Sequence, residues 1–252
     1  MTRAIVLAAG QGTRLRPHTD DKPKCLVELA GRPLLARQLA ALKRAGIEDI
    51  VLVGGYRADR LDDWHDTVVL NAAFESTNMV HSLFCAEAAF DGGDDVLIAY
   101  SDILYEDRVL RALLDCPAEL AVAVNTQWRA LWEQRMDDPL SDAETLRIDH
   151  AGHIVEIGKK ASDYAEIEGQ YMGLIKVRAD QAVRVRAAFL ASGPERASMY
   201  MTDFLQGLAD SGLALTAVRV DGGWLEVDTV EDLAAYEALA GRGELDRFCR
   251  LD

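Results

Sequence analysis

The sequence predicts an α/β protein with a Rossmann-like, mixed but mainly parallel central sheet flanked by helices. Three observations carry this. Short apolar runs alternate with segments of helical periodicity from the first residues onward. The run Val96-Leu97-Ile98-Ala99 is apolar on both faces, the pattern of a central parallel strand covered from each side. The first apolar run ends in a glycine loop, and such sheets bind ligands beyond the carboxyl ends of their strands.

The elements follow in order. Residues 4–8 form the first strand. Residues 33–45 carry Leu34, Leu35, Leu39 and Leu42 at helical spacing and stop at Gly46, a C-cap residue. Residues 49–53 are a second strand, closed by Gly54 and Gly55, and 67–70 a third. Residues 78–90 read as a helix with Thr77 as its N-cap. Residues 95–100 are the fourth strand, 107–114 a helix and 120–124 another buried strand. The second half is less regular. Residues 145–149 and 153–157 flank His150-Ala151-Gly152, a hairpin signature. Residues 173–177, 215–220 and 224–227 read as strands, and 179–191, 202–211 and 230–239 as helices. No proline-rich or Gly/Ser-rich linker divides the chain, and no internal repeat appears, so one domain over 1–252 is expected.

Composition narrows the function. The 252 residues carry 27 Lys plus Arg against 42 Asp plus Glu, a formal charge of −15, and half are hydrophobic. This is a globular chain with a full core. Its acidity argues against nucleic acid and against anionic membranes as partners. No stretch approaches the ~18 consecutive apolar residues of a membrane span. The N-terminal apolar run is short and leads into the glycine loop, so it reads as a strand, not a signal peptide. Cys25, Cys85, Cys116 and Cys249 are scattered, without a CxxC pair or a Cys/His metal spacing. They read as reduced, mostly buried thiols of a cytoplasmic protein. A small anionic ligand requires positive charge gathered locally.

Residues 7–29 supply that gathering. The strand runs through Leu7, Ala8 and Ala9 into Gly10-Gln11-Gly12-Thr13, where bare backbone N–H groups can approach phosphate oxygens. Arg14, Arg16, Lys22 and Lys24 then stand against Asp20 and Asp21. Other glycine loops are excluded. A P-loop needs GxxxxGK[ST], which is absent, and a GxGxxG helix start is blocked by Arg14 and Pro17.

Gly10-x-Gly12-Thr13-Arg14-Leu15-x-Pro17 followed by Pro23-Lys24-x-Leu26 resembles the signature of the sugar-nucleotidyltransferase superfamily. These enzymes join a nucleoside triphosphate to a phosphorylated acceptor and release pyrophosphate. The resemblance implies a nucleotide-binding half over 1–110 and an acceptor-binding half over 111–252. It implies that Leu7, Ala8, Ala9, Gly10, Gly12 and Thr13 hold base and triphosphate. Arg14 would contact the leaving pyrophosphate and Lys24 the reacting phosphate. Gly55, Asn78 and Ser82 complete the expected nucleotide-binding set.

Phosphoryl transfer needs charge neutralisation, usually by Mg²⁺ held through one or two carboxylates. Asp102 ends the buried run 96–101, and Asp228 ends a second strand before a helix, in Trp224-Leu225-Glu226-Val227-Asp228-Thr229. The superfamily places a metal aspartate in such a setting, so both are expected metal ligands, with Glu226 a weaker alternative. Asp228-Thr229-Val230-Glu231-Asp232 equally makes a helix N-terminus with acidic first-turn residues.

Residues 71–83, with Asn78-x-x-x-Ser82-Leu83, resemble phosphocholine-type cytidylyltransferases. Residues 138–145 and 168–174 are similar to cytidylyltransferases acting on 2-aminoethylphosphonate and on phosphoglutamine. The implied substrates are CTP and a small phosphonate or phosphate: 2-aminoethylphosphonate, 2-hydroxyethylphosphonate, phosphocholine or phosphoglutamine. Lys159 or Lys160 is the candidate for the acceptor phosphate. Tyr171 and Trp224, with Trp128 and Trp132, are candidate walls of the acceptor site, where aromatic faces and carboxylates such as Glu226 would hold an ammonium group. Two other readings stay open. One is a hexose-1-phosphate nucleotidylyltransferase using dTTP, UTP or GTP. The other is a non-catalytic nucleotide-binding regulatory module. An apolar helix or edge strand could support a homodimer.

Overall fold

The computed structural model describes residues 1–65 and 67–251. Strand β1 (Thr2–Ala8) is buried from Ala4 to its end. After the glycine loop, a small hairpin of β2 (Glu28–Leu29) and β3 (Arg32–Pro33) leads into α1 (Leu34–Arg44), which buries Leu34, Leu35, Ala41 and Leu42 on one stripe. Gly46 follows at φ 78°, the left-handed position that ends many helices. Then come β4 (Ile50–Gly54), β5 (Val68–Leu70), α2 (Met79–Cys85), β6 (Asp95–Tyr100) and β7 (Ile103–Tyr105). The chain continues through α3 (Asp107–Asp115), β8 (Leu120–Asn125), α4 (Trp128–Trp132), β9 (Glu144–Ile148) and β10 (Ile154–Lys160). Last are β11 (Gln170–Val177), α5 (Ala179–Ala191), α6 (Met201–Asp210), β12 (Leu215–Val220), β13 (Trp224–Glu226) and α7 (Val230–Gly241).

Seven strands make the central sheet in the order β12-β8-β11-β6-β1-β4-β5. Only β11 runs against its neighbours β6 and β8; every other pairing is parallel. The sheet is therefore mixed and mainly parallel, as the sequence predicts. Alternation along the strands divides the core. Ala4, Val6, Leu97 and Ala99 face one hydrophobic cluster, built with α1, α3 and α7. Ile5, Leu7, Val96 and Ile98 face the other, built with α2, α5 and α6. Covering both faces is what requires these strands to be apolar throughout.

Two local expectations are corrected. The helix over 78–90 ends at Cys85, and Glu87–Ala89 is a separate 3₁₀ turn. Thr77 is not its N-cap. Asn78 takes that position, without a side-chain cap bond, while the Thr77 hydroxyl donates to the Ala73 carbonyl and accepts from Asn71 Nδ2. The hairpin is present: β9 and β10 pair antiparallel. Among the described residues, no helix is long and apolar enough to cross a membrane.

Candidate active site

Because β1 and β6 are parallel neighbours, the glycine loop after Ala8 and the residues after Tyr100 emerge side by side. Gly10 is open: a Cβ there would meet no atom within 4 Å. Gly12 is confined. Its φ is 60°, and a Cβ would lie 3.0 Å from Lys24 Cβ. Thr19, fully buried, donates its hydroxyl to the Gly12 carbonyl at 2.8 Å and ties the loop down. Thr13 and Arg14 lie in a 3₁₀ turn pinned by buried Leu15. Lys24 opens a second such turn, in which Cys25 and Leu26 go into the core and leave its amine toward the sheet edge. Burial pushes the Cys25 thiol up to about 12.

Asp102 follows β6 directly. The short pair of β7 and β13 brings Asp228 to it: Glu226 is opposite Ile103, and Val227 N–H donates to the Asp102 carbonyl at 2.9 Å. Gln38 of α1, buried, donates to the carbonyls of Tyr100 and Ile103 and so straddles Asp102. The two carboxylates converge on one ammonium. Lys24 Nζ is 2.7 Å from Asp102 Oδ2 and 2.5 Å from Asp228 Oδ1. Arg14 pairs with the second oxygen of Asp228. Burial works against the charge on Lys24, but both carboxylates overcome it and its pKa is raised. Burial likewise works to raise Asp228, but Lys24 and Arg14 hold it below the usual carboxylate range. Glu226 is pushed up to about 7, by burial first and then by Asp102, with Arg135 opposing.

A cavity of about 210 Å³ opens at this point. Leu7, Ala8, Ala9 and Gly10 form one side, Asn78 and Ser82 another, and Lys24 and Asp102 the end where charge gathers. Phe74, Thr77, Met79, Tyr100 and Ser101 complete the lining. Asn78 is fixed by Nδ2 donating to the Ser198 carbonyl at 2.6 Å, and Ser82 by accepting from Asn71 Nδ2 at 2.9 Å. Gly12, Thr13 and Arg14 lie beyond this lining, along the loop. Gly55 is a correction: it backs the loop and does not line the cavity. A Cβ there would stand 2.6 Å from the Ala9 carbonyl oxygen, so glycine is needed to let the two chain segments touch.

The residues expected on the acceptor side divide. Tyr171 meets Tyr100 edge-on, with ring centroids 5.6 Å apart, and its hydroxyl is buried. Lys159 pairs with Glu156 at 2.6 Å, and Lys160 donates to the Ser141 carbonyl. Trp224 is a second correction. It is 1% exposed, with its indole N–H donating to the Met172 carbonyl at 3.0 Å, so it packs beneath the site and offers no wall. Trp128 and Trp132 are buried too, edge to face against each other.

Sequence reasoning missed Arg135, whose guanidinium binds Asp232 through two bonds of 2.7 and 2.9 Å and reaches Glu226 at 3.3 Å. Nothing around Arg135 in the sequence marks it. Asp232 was legible as a helix-start acid: Thr229 caps α7, and Asp232 closes the capping box.

The residues fit a small hard cation. Two carboxylates converge on a single positive centre, and Asp102 Oδ1 is buried with no hydrogen-bond partner among the described residues. Among the described residues there is no cluster of three or more His, Cys, Asp or Glu able to hold a metal. A two-carboxylate set suits Mg²⁺, which keeps waters and takes substrate phosphates for its remaining positions.

Known proteins resemble this chain over most of its length. Residues 4–186 match the MobA-like NTP transferase domain family. The chain is 39% identical over 246 residues to a Campylobacter jejuni CTP:phosphoglutamine cytidylyltransferase, covering 91% of this chain and 97% of that protein. It is 27% identical to a Haloferax volcanii UTP–glucose-1-phosphate uridylyltransferase, covering 91% and 93%. The solved CTP:phosphocholine cytidylyltransferase of Streptococcus pneumoniae shares the fold, with a TM-score of 0.73 at 21% identity over 95% and 99% of the two chains. The chain belongs to the MobA-like NTP transferase domain family.

Proposed function

We propose that the protein is a cytidylyltransferase that transfers CMP from CTP to a small phosphate or phosphonate acceptor, with the phosphoglutamine class first, and releases pyrophosphate. The observation that carries this is the convergence of Asp102 and Asp228 on Lys24, with Arg14 on the second oxygen of Asp228, beside a cavity walled by the glycine loop. The 39% identity to the C. jejuni enzyme supports cytidylyl transfer and this acceptor class over the uridylyl relative at 27%. The single domain over 1–252 would bind the nucleotide through 1–110 and the acceptor through 111–252.

In this reading the acceptor's ionised oxygen attacks the α-phosphorus of CTP in line. A P–O bond forms there as the bond to the pyrophosphate oxygen breaks. The nucleophile is already anionic, so no general base is required. The loop amides and Arg14 hold the β- and γ-phosphates and stabilise charge on the leaving pyrophosphate. Lys24 leaves its carboxylate contacts to face the α-phosphate. Asn78 and Ser82 border the nucleotide end, and Tyr171 with Lys159 or Lys160 the acceptor end. Asp102 and Asp228 would hold Mg²⁺, which supplies positive charge to the reacting phosphate oxygens. Rate comes from positioning and preorganised charge.

The test crosses CTP, UTP, GTP, ATP and dTTP with phosphoglutamine, 2-aminoethylphosphonate, 2-hydroxyethylphosphonate, phosphocholine and glucose 1-phosphate, measuring pyrophosphate. Release with CTP and one of the small acceptors supports the proposal. Release confined to UTP, GTP or dTTP with glucose 1-phosphate replaces it by the hexose reading. No release with any pair favours the regulatory module.

A further inference from the structure

We propose that Arg135 is a positioning residue for this reaction: acting through Asp232, it fixes where Asp228 presents its carboxylate. The inference rests on the role given to Asp228 above and extends it to a residue from the acceptor half.

The connection is continuous and buried. Arg135 lies just past α4, with its side chain 2% exposed and that of Asp232 3% exposed. The guanidinium meets the carboxylate as a fork, Nε to Oδ1 at 2.7 Å and Nη2 to Oδ2 at 2.9 Å. Asp232 Oδ2 also accepts from the backbone N–H groups of Asp228 at 3.0 Å and Thr229 at 2.9 Å. One carboxylate thus binds the cation on one side and the backbone of Asp228 on the other. Arg135 Nη1 reaches Glu226 at 3.3 Å, two residues before Asp228, so the guanidinium grips the chain on both sides of it. The Trp132 ring, 5.4 Å from the guanidinium carbon, backs the arrangement.

A capping box does not need an arginine, and at a helix start in water the acid stands alone. Here the acid is buried, where an uncompensated charge is costly. Arg135 supplies the compensation and also the direction, because a planar fork admits few orientations of its partner. Asp102 has a counterpart in Gln38, which binds the carbonyls on either side of it. The chain around Asp102 is thus held by a buried side chain from α1, and the backbone of Asp228 by Asp232, which Arg135 holds in turn.

The test compares Arg135→Met, Arg135→Lys and the double variant Arg135→Met/Asp232→Asn, with Asp228→Asn as control. Turnover, KM for CTP, thermal unfolding and Mn²⁺ binding to the enzyme with CTP alone, by electron paramagnetic resonance, are measured on each. Arg135→Met should lower kcat and weaken Mn²⁺ binding by about 10–100-fold, the range for residues that orient metal ligands, with KM for CTP little changed. It should also lower Tm, because Asp232 is left unpaired. The double variant removes that charge, so Tm should return while kcat and Mn²⁺ affinity stay low. Recovery of kcat and Mn²⁺ binding together with Tm would overturn the proposal and leave Arg135 a purely structural residue. If the double variant stays unstable, Arg135→Lys decides, since it keeps the charge without the fork. A loss of about tenfold in kcat and Mn²⁺ affinity then supports the proposal, and wild-type values of both overturn it. Near-wild-type turnover in Asp228→Asn would instead overturn the role of Asp228 itself, a failure distinguishable from that of the Arg135 link.

Discussion

Lys24 and Asp102, 78 residues apart in sequence, meet with ammonium and carboxylate oxygen at 2.7 Å, and the same ammonium holds Asp228 at 2.5 Å. One buried cation thus joins the loop after β1, the end of β6 and the end of β13. Replacing Lys24 with Met removes the positive centre and leaves two carboxylates facing each other. Turnover should fall by on the order of a hundredfold or more, as for the loss of a preorganised charge at a reacting group, and Tm should fall with it. Asp102→Asn should cost turnover to a similar degree while circular dichroism and Tm stay near wild type, because Lys24 keeps Asp228. An Asp102→Asn enzyme at near-full rate would remove Asp102 from the chemistry.

The two loop glycines should behave differently. Gly10→Ala adds a methyl group where no protein atom lies within 4 Å. Stability should stay within about 0.5 kcal/mol of wild type. The KM for CTP should rise roughly tenfold or more, because the methyl stands where the triphosphate must approach. Gly12→Ala forces a left-handed backbone at φ 60° and a contact of 3.0 Å with Lys24 Cβ. It should cost roughly 1–3 kcal/mol in denaturant unfolding. Equal effects on Tm from both variants would contradict this division.

Much of this arrangement is legible in the sequence. The central strand buried on both faces, 95–100, the edge strand 215–220 and the helix 179–191 have the bounds expected from the sequence. Asp102 and Asp228 were each identifiable as acids at strand ends. What joins them was only half legible: 224–227 reads as a strand, but its partner β7 has three residues, too few for a period to register, and the pairing of the two is a tertiary contact. Residue type alone also misleads about side. Trp224 looked like a wall for an ammonium group, but it is buried in the core with its indole N–H spent on the Met172 carbonyl. Gly55 looked like part of the loop's ligand surface, yet its lack of a side chain serves the contact with Ala9. Arg135 is one arginine in a polar stretch, and only the tertiary fold shows that it lies against Asp232.

Away from the site, pH tests a stabilising pair. Arg44, at the end of α1, donates to Asp107, at the start of α3, with bonds of 2.8 to 3.1 Å. Those hydrogen bonds first, and the arginine's charge with them, hold the Asp107 carboxyl below its usual range. A depressed carboxylate contributes stability above its unfolded pKa of about 3.9 and loses it as pH falls through the folded value. The pair is partly exposed, so solvent screening keeps the contribution under about 1 kcal/mol. Asp107→Asn should therefore be slightly less stable than wild type at pH 7, with the difference shrinking in acid below the unfolded value. A difference that grows on acidification would show the sign to be wrong.

Thiol chemistry should report the burial of the core. Cys25 and Cys249 are buried, while Cys85 and Cys116 are partly exposed. Burial holds Cys25 up to about 12 and raises Cys85 as well, so few thiolates are present near neutrality. A disulfide reagent at pH 8 should modify Cys85 and Cys116 slowly in the native protein, and all four thiols only after unfolding. Rapid native-state modification of Cys25, the buried middle residue of the Lys24–Leu26 turn, would mean that the turn opens.

The most direct measurement follows the α-phosphate itself. CTP labelled at that phosphorus is incubated with the enzyme, Mg²⁺ and each small phosphate acceptor in turn, and the products are separated. The label should move into a new acceptor-linked CMP compound, with one pyrophosphate released per transfer and none in the absence of acceptor. Label that stays in CTP with every small phosphate or phosphonate offered, while the enzyme transfers UMP or dTMP to a hexose phosphate, would contradict the account.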